Sequence, residues 1–279
     1  MRDDRLARPD AVEPSGSDRV IDLVTAALAI LSGAAIGLIL GLVGGGGSIL
    51  AVPLLVHVVG IRSPHMAIGT AAIAVGLNAA MGLVGHARHG MVKWRCGLLF
   101  AAAGVVGALT GAELGKAYDG QKLLFLFGGL MVVVGLSMLR KRTAEPRPDV
   151  ALDRDSAGHL IPRLAPAGLG VGLLSGFFGI GGGFLIVPGL IWATRMPMAN
   201  AVGTSLLAIT AFGLSTAASY ALSGLVDWPI VGLLMIGGVA GALAGIALGR
   251  KLAGSKRLLE TAFGVMVIGV GIYVALKAG

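Results

Sequence analysis

Two glycine clusters interrupt apolar runs of membrane length: "GLVGGGGSILAVPLL" from Gly41 to Leu55, and "GFFGIGGGFLIVPGL" from Gly176 to Leu190. Glycine costs a helix interior about 1 kcal/mol per residue against alanine. A broken helix also exposes backbone N–H and C=O groups that hydrocarbon cannot satisfy, so non-helical chain at membrane depth belongs where it is buried in protein or lines a watery cavity. The surroundings set that depth. Hydrophobic residues make up 56% of the chain and charged residues 13%, and apolar runs of about 20 residues, each able to cross a hydrocarbon core of about 30 Å, recur along it. The expectation is an all-α polytopic membrane protein. Gly44, Gly45, Gly46 and Gly47 in the first cluster, and Gly179, Gly181, Gly182 and Gly183 in the second, are its cavity-lining candidates.

The two clusters are copies. A shift of 135 residues lays Gly41, Gly44, Gly46, Gly47 and Pro53 on Gly176, Gly179, Gly181, Gly182 and Pro188. With a slip of one or two positions, "IRSPHMAIGTA" (61–71) meets "TRMPMANAVGTS" (194–205) and "GMVKW" (90–94) meets "GLVDW" (224–228). Gly104, Gly107, Gly111 and Gly115 then fall on Gly238, Gly241, Gly245 and Gly249. Internal repetition of this kind organises the chain as a polar tail (1–19), a first membrane repeat (20–139), a polar linker (140–163) and a second repeat (164–279). Each repeat reads as one glycine-broken stretch followed by three ordinary helices. The spaced glycines of the third element form a small-residue ridge suited to close helix packing rather than chemistry.

The length of the broken stretches bears on topology. Leu164 to Ala193 is too long for one span and too short for two, which favours two half-helices meeting at the break. Val20 to Ile61 could instead hold two complete spans, and that alternative stays open. If each stretch returns to its own face, each repeat has an odd number of crossings, and the repeats are inverted. The 22 Lys and Arg residues then divide 14 to 8, with the linker on the richer face; the positive-inside bias makes that face cytosolic and both termini periplasmic. If each stretch crosses once, the same contrast leaves termini and linker all cytosolic.

The net charge of +8 is accounted for by these loops and helix ends, with no basic, aromatic-studded face for nucleic acid. One cysteine, Cys96, excludes an intrachain disulfide or a zinc cluster. "GLVGGGGS" lacks the lysine of a nucleotide phosphate loop, and no enzyme motif is present. No cofactor and no metal are expected.

A helix starting just after a glycine break offers free N–H groups and about half a unit of positive charge, a ready anion site. Paired discontinuous helices in two halves are the best sequence pointer to a transporter's midplane site. Thr70, Thr204 and Ser205 stand where their hydroxyls could donate to an oxyanion or bond back to their own helices, and Ser48 could cap the helix after the first break. Asn78 is a mid-helix amide suited to an interhelical bond or a substrate contact; Phe212 occupies its place in the second half. Arg62 and Arg195 share an R-x-P context at helix entrances, as cations guarding access or anchoring at the interface. His57, within "LLVHVVG", reads as a buried histidine or a proton relay, and Glu113 as one partner of an i, i+3 pair with Lys116 or a coupling carboxylate.

The doubled "GxxGxGGG…P" breaks, each followed by A-x-G-T (Ala67 to Thr70, Ala201 to Thr204), resemble the TauE/SafE sulfite exporter family over residues 20 to 278. The resemblance implies a multi-pass carrier of the bacterial inner membrane for sulfite, sulfonates or related anions. The first repeat departs from the pattern in placing Ala71 where the second has Ser205. The expected function is therefore secondary transport of a small sulfur-containing anion, with H+ or Na+ as a possible coupling ion and a homo-oligomer as a possible assembly. A passive anion channel is the alternative.

Overall fold

The computed structural model describes residues 22–43, 45–139, 154–179, 181–251 and 256–278. Among these, ten α-helices follow one another: α1 (Leu23–Val43), α2 (Ala51–His57), α3 (Pro64–Arg88), α4 (Trp94–Ala117), α5 (Gly120–Leu139), α6 (Arg154–Phe178), α7 (Gly183–Thr194), α8 (Met198–Leu222), α9 (Trp228–Lys251) and α10 (Lys256–Ala278). A 3-10 turn, Gly45–Leu50, leads into α2. Eight helices are long and apolar enough to cross a membrane, and α2 and α7 are the two short ones. Val106, Val133, Ile236 and Leu243, midway along such helices, stay more than half exposed. In water a belt of this kind would drive aggregation; in lipid it is the ordinary outer surface.

Local chemistry explains the helix ends. Ser63 caps α3 by accepting from the Met66 amide at 3.4 Å, with Pro64 in the first turn where its missing N–H costs nothing. Asp119 and Asp227 cap α5 and α9 by accepting from the amides of Lys122 (3.0 Å) and Ile230 (3.2 Å). The ends of α3 and α8 are copies of one another. Gly90 and Gly224 take left-handed φ of 66° and 69°, and the amides of Met91 and Leu225 reach back to the carbonyls of His86 (3.2 Å) and Tyr220 (2.9 Å). This is a Schellman stop, and its Gly is what the repeated "GMVKW" and "GLVDW" supply.

The halves interlock rather than sit side by side. α4 lies parallel to α6 of the other half: a Cβ at Gly107 would strike the Leu169 carbonyl, and one at Gly111 would come within 2.8 Å of the Phe177 amide. α1 lies parallel to α9 in the same way, Gly37 against Gly238 and Gly41 against Ala242 and Ile246. The small-residue ridges thus pack backbone against backbone, as their spacing predicts. Equivalent helices of the two halves meet antiparallel. Gly76 of α3 approaches Gly213 of α8 at their crossing while Gly69 near the start of α3 meets Leu225 beyond the end of α8, and α5 runs against α10 with Gly128 beside Gly271 and Gly135 beside Gly264.

One expectation changes. The second broken stretch is not two half-helices, because α6 already begins at Arg154, inside the stretch read as linker, and is a full-length helix that continues to the break. Its first turns carry charge and prolines, and Gly158, Ile161, Pro162 and Arg163 are exposed, so the carbonyl that Pro162 leaves without an intrahelical donor faces outward. Residues 140–153 of the expected linker lie outside the described residues. Each half therefore holds four long helices and one short one. α1 and α3 both run parallel to α9, so the 3-10 turn and α2 between them carry the chain back. α7 does the same, starting after Gly179 beside Ile68 and passing Gly189 beside Phe100 and Val171.

Candidate functional site

At the second break Gly179, Gly181 and Gly182 hold φ of 64°, 62° and 65°. Left-handed backbone costs a residue with a Cβ about 1–2 kcal/mol, and here there is also no room for one. A Cβ on Gly179 would run into Ile68, one on Gly181 would lie 3.0 Å from Val75 and 3.5 Å from Ile209, and one on Gly182 would lie 2.8 Å from the Ser175 Cβ. Val75 and Ile209 are equivalent positions of α3 and α8, so Gly181 threads the seam between the halves. Gly182 is the N-cap of α7, with no side chain to bond the amides of the first turn, and Gly183 is its buried first residue.

The first break is built differently. Gly44 lies outside the described residues, while Gly45, Gly46 and Gly47 belong to the 3-10 turn. A Cβ on Gly47 would stand 2.5 Å from the Leu40 amide nitrogen and 2.8 Å from the Ile36 carbonyl, so the turn lies flat on the backbone of α1. Ser48 is fully buried within this turn; the N-cap of α2 is Leu50, with no side-chain bond. Ser48 therefore does not cap α2. The 3-10 turn also packs against α7, so the first break meets the helix that follows the second.

The threonines are drawn elsewhere. Thr70 Oγ1 accepts from the Asp227 amide at 3.0 Å, and Thr204 Oγ1 accepts from the Lys93 amide at 2.9 Å. Each thus holds the entrance of a helix in the opposite half. Thr70 precedes Gly76 and Thr204 precedes Gly213 at an antiparallel crossing, so helix rise separates them by about 20 Å. The structure does not bring the two hydroxyls onto one compact ligand. Ser205 is buried and bonds back to the Val202 carbonyl at 2.8 Å.

The sulfite exporter TauE/SafE family model matches residues 29–274. This chain belongs to the TauE/SafE family. It is 49% identical over 247 residues, 88% of this chain and 94% of the relative, to a "Probable membrane transporter protein" of Xylella fastidiosa. It is 29% identical to "Probable membrane transporter protein YunE" of Bacillus subtilis, with 78% of this chain and 87% of the relative covered. A similarly named protein of Methanocaldococcus jannaschii is 27% identical, with 86% and 92% covered. No solved structure matches.

In this TauE/SafE protein the remaining candidates are scattered. Asn78 is buried on α3 with its amide directed at Gly238 of α9, and neither Nδ2 nor Oδ1 has a partner among the described residues. Its counterpart Phe212 fills the equivalent place as a fully buried ring stacked 6.1 Å from Phe100. Arg62 and Arg195 are exposed, Arg62 just before the α3 cap and Arg195 at the C-cap of α7 with φ of 59°. His57 closes α2, its Nδ1 3.2 Å from the Pro53 carbonyl and its ring edge-on to Tyr273 at 5.3 Å. Glu113 does pair with Lys116 at 2.8 Å, and the pair extends across the halves: Ser219 donates to Glu113 at 2.8 Å and Lys116 donates to Ser223 at 2.9 Å.

Sequence reasoning passed over Ser175. When the two repeats of this chain are overlaid it stands opposite Leu40, one residue before the repeated Gly176 and Gly41, and a serine among glycines and leucines carries no spacing signal of its own. Its hydroxyl, fully buried, lies 2.9 Å from where a Cβ of Gly182 would be.

Proposed function

We propose that the chain is a secondary transporter, an exporter, of small sulfur-containing anions of the sulfite and sulfonate class in a bacterial inner membrane. The observation that carries this reading is the packing of the 3-10 turn of the first break against α7, the helix that starts at the second break. Support comes from the family, whose matching model is described as a sulfite exporter, and from relatives named as membrane transporters. A helix start provides oriented amides and partial positive charge for an anion.

The antiparallel pairing of α3 with α8 and of α5 with α10 supports an inverted repeat, in which rocking of one half against the other would expose a central site alternately to the two faces. H+ or Na+ coupling belongs to the same reading. Counterflow in proteoliposomes tests it: vesicles loaded with unlabelled sulfite and diluted into labelled sulfite should accumulate label transiently above equilibrium. Label that equilibrates without overshoot would identify a passive anion channel instead.

A further inference from the structure

We propose that Ser175 Oγ and the first amides of α7 form one oxyanion subsite, and that this subsite selects monoanions over dianions. The proposal rests on the anion-transporter reading above and specifies where in the molecule, and on which charge state, it acts.

Hydroxyls on these helices have a usual fate. Thr110, Thr194, Thr210, Ser215 and Ser223 all donate to the carbonyl four residues earlier, at 2.7–3.1 Å, and Ser205 does the same three residues back. Ser175 does not. It is 0% exposed, and its Oγ has no partner among the described residues. A buried hydroxyl left without a bond costs about 1–3 kcal/mol, so its persistence points to a partner that arrives with function. Asn78, Thr216 and Tyr220 also carry unpartnered polar atoms, but Ser175 is the one set against a glycine break, 2.9 Å from the Cβ position of Gly182.

Gly182 is the residue whose side chain would ordinarily cap α7. It has none, and no side-chain bond reaches the first turn. At the start of α7 the Leu185 amide already donates to the Gly182 carbonyl at 2.8 Å, which leaves the Gly183 and Phe184 amides at the open end of the helix. α7 is 12 residues long and presents them with the positive end of its dipole. One hydroxyl donor and two neighbouring amides suit an oxygen-bearing anionic head. The first half lacks the equivalent: Leu40 stands at the Ser175 position, and Gly47 is pressed against the α1 backbone. The molecule therefore has one such subsite rather than two.

Charge selection follows from what is missing. The buried polar residues among those described are Ser, Thr and Asn, with no Lys, Arg or His. Partial charges and neutral donors can replace the hydration of a single negative charge, whereas a second buried charge, with no counter-cation, carries a much larger desolvation penalty.

The test uses full-length protein purified in detergent, with methanesulfonate as the monoanion and sulfate as the dianion. Wild type should bind methanesulfonate saturably and be displaced poorly by sulfate. Ser175→Ala should weaken methanesulfonate binding about tenfold or more, while melting at or above the wild-type temperature because a hydroxyl without a partner is removed. Ser175→Leu, which copies the first half, should abolish binding in protein that still elutes as a single folded species. Wild-type affinity in Ser175→Ala would overturn the subsite, and sulfate competing as well as methanesulfonate would overturn the charge selection, while either result leaves the transporter reading standing. Failure of wild type to bind or exchange any anion would sink that reading and this one together.

Discussion

Thr70 and Thr204 illustrate how one sequence signal can serve two chemistries. A hydroxyl inside an A-x-G-T helix can donate to a ligand or accept from a neighbour, and nothing in the spacing separates the two. The structure shows each accepting from the amide at the entrance of a helix in the other half, Asp227 and Lys93. Thr70→Val and Thr204→Val should therefore each lower stability by about 1–3 kcal/mol, since an amide loses its acceptor in both. Melting temperatures of the purified variants measure this, and the two losses should be similar. Unchanged melting with lost anion binding would return these hydroxyls to the substrate. Ser175 is the opposite case: its sequence context is bland, and it is singled out by a missing bond beside a glycine break.

Glycine has two separable roles at the level of elements. In α4 and α9 it lets helices of opposite halves touch backbone to backbone, and in the breaks it permits left-handed turns at Gly179, Gly181 and Gly182. Gly107→Leu and Gly241→Leu should thus reduce folded yield, each by prising apart one of the equivalent helix pairs. Gly181→Leu sets its side chain against Val75 and Ile209 at the seam; it should leave measurable protein in the membrane but reduce counterflow to background. Comparing yield by fluorescence size exclusion with transport per folded molecule distinguishes them. Identical behaviour of the two groups would show that the breaks are packing features alone.

For the whole molecule, the direction of each helix decides where the ends lie. Five helical segments per half, joined so that α1 and α3 run the same way, leave the start of α1 and the end of α10 on one face and the end of α5 and the start of α6 on the other. The loops and ends on the second face, linker included, hold 14 of the 22 Lys and Arg residues, so the positive-inside bias assigns that face to the cytosol. A reporter fused after Gly279 should accordingly be active only when it is a periplasmic enzyme such as alkaline phosphatase. A C-terminal green fluorescent protein that lights up in the cytosol would refute this topology.

Much of this was legible before folding. Periodicity and composition alone determined a helical membrane protein, because lipid admits few other solutions for apolar runs of that length, and self-similarity determined two halves with a glycine break in each. The packing role of the Gly104 to Gly115 ridge was equally local, since residues three and four apart share a helix face. Other features depend on contacts between residues far apart in the chain. That α6 starts at Arg154, within a polar and proline-bearing stretch, was hidden because its first turns are exposed and carry no apolar signature. That Thr70 braces Asp227 across 157 residues depends on how the halves interlock, and that Ser175 meets Gly182 with nothing to bond depends on how the chain turns from α6 into α7. Side-chain chemistry specifies what a hydroxyl can do. Which donor or acceptor stands about 3 Å away is decided only when helices pack, and there the leucine and serine that the two repeats carry at one position leave an unpaired hydroxyl beside the second break alone.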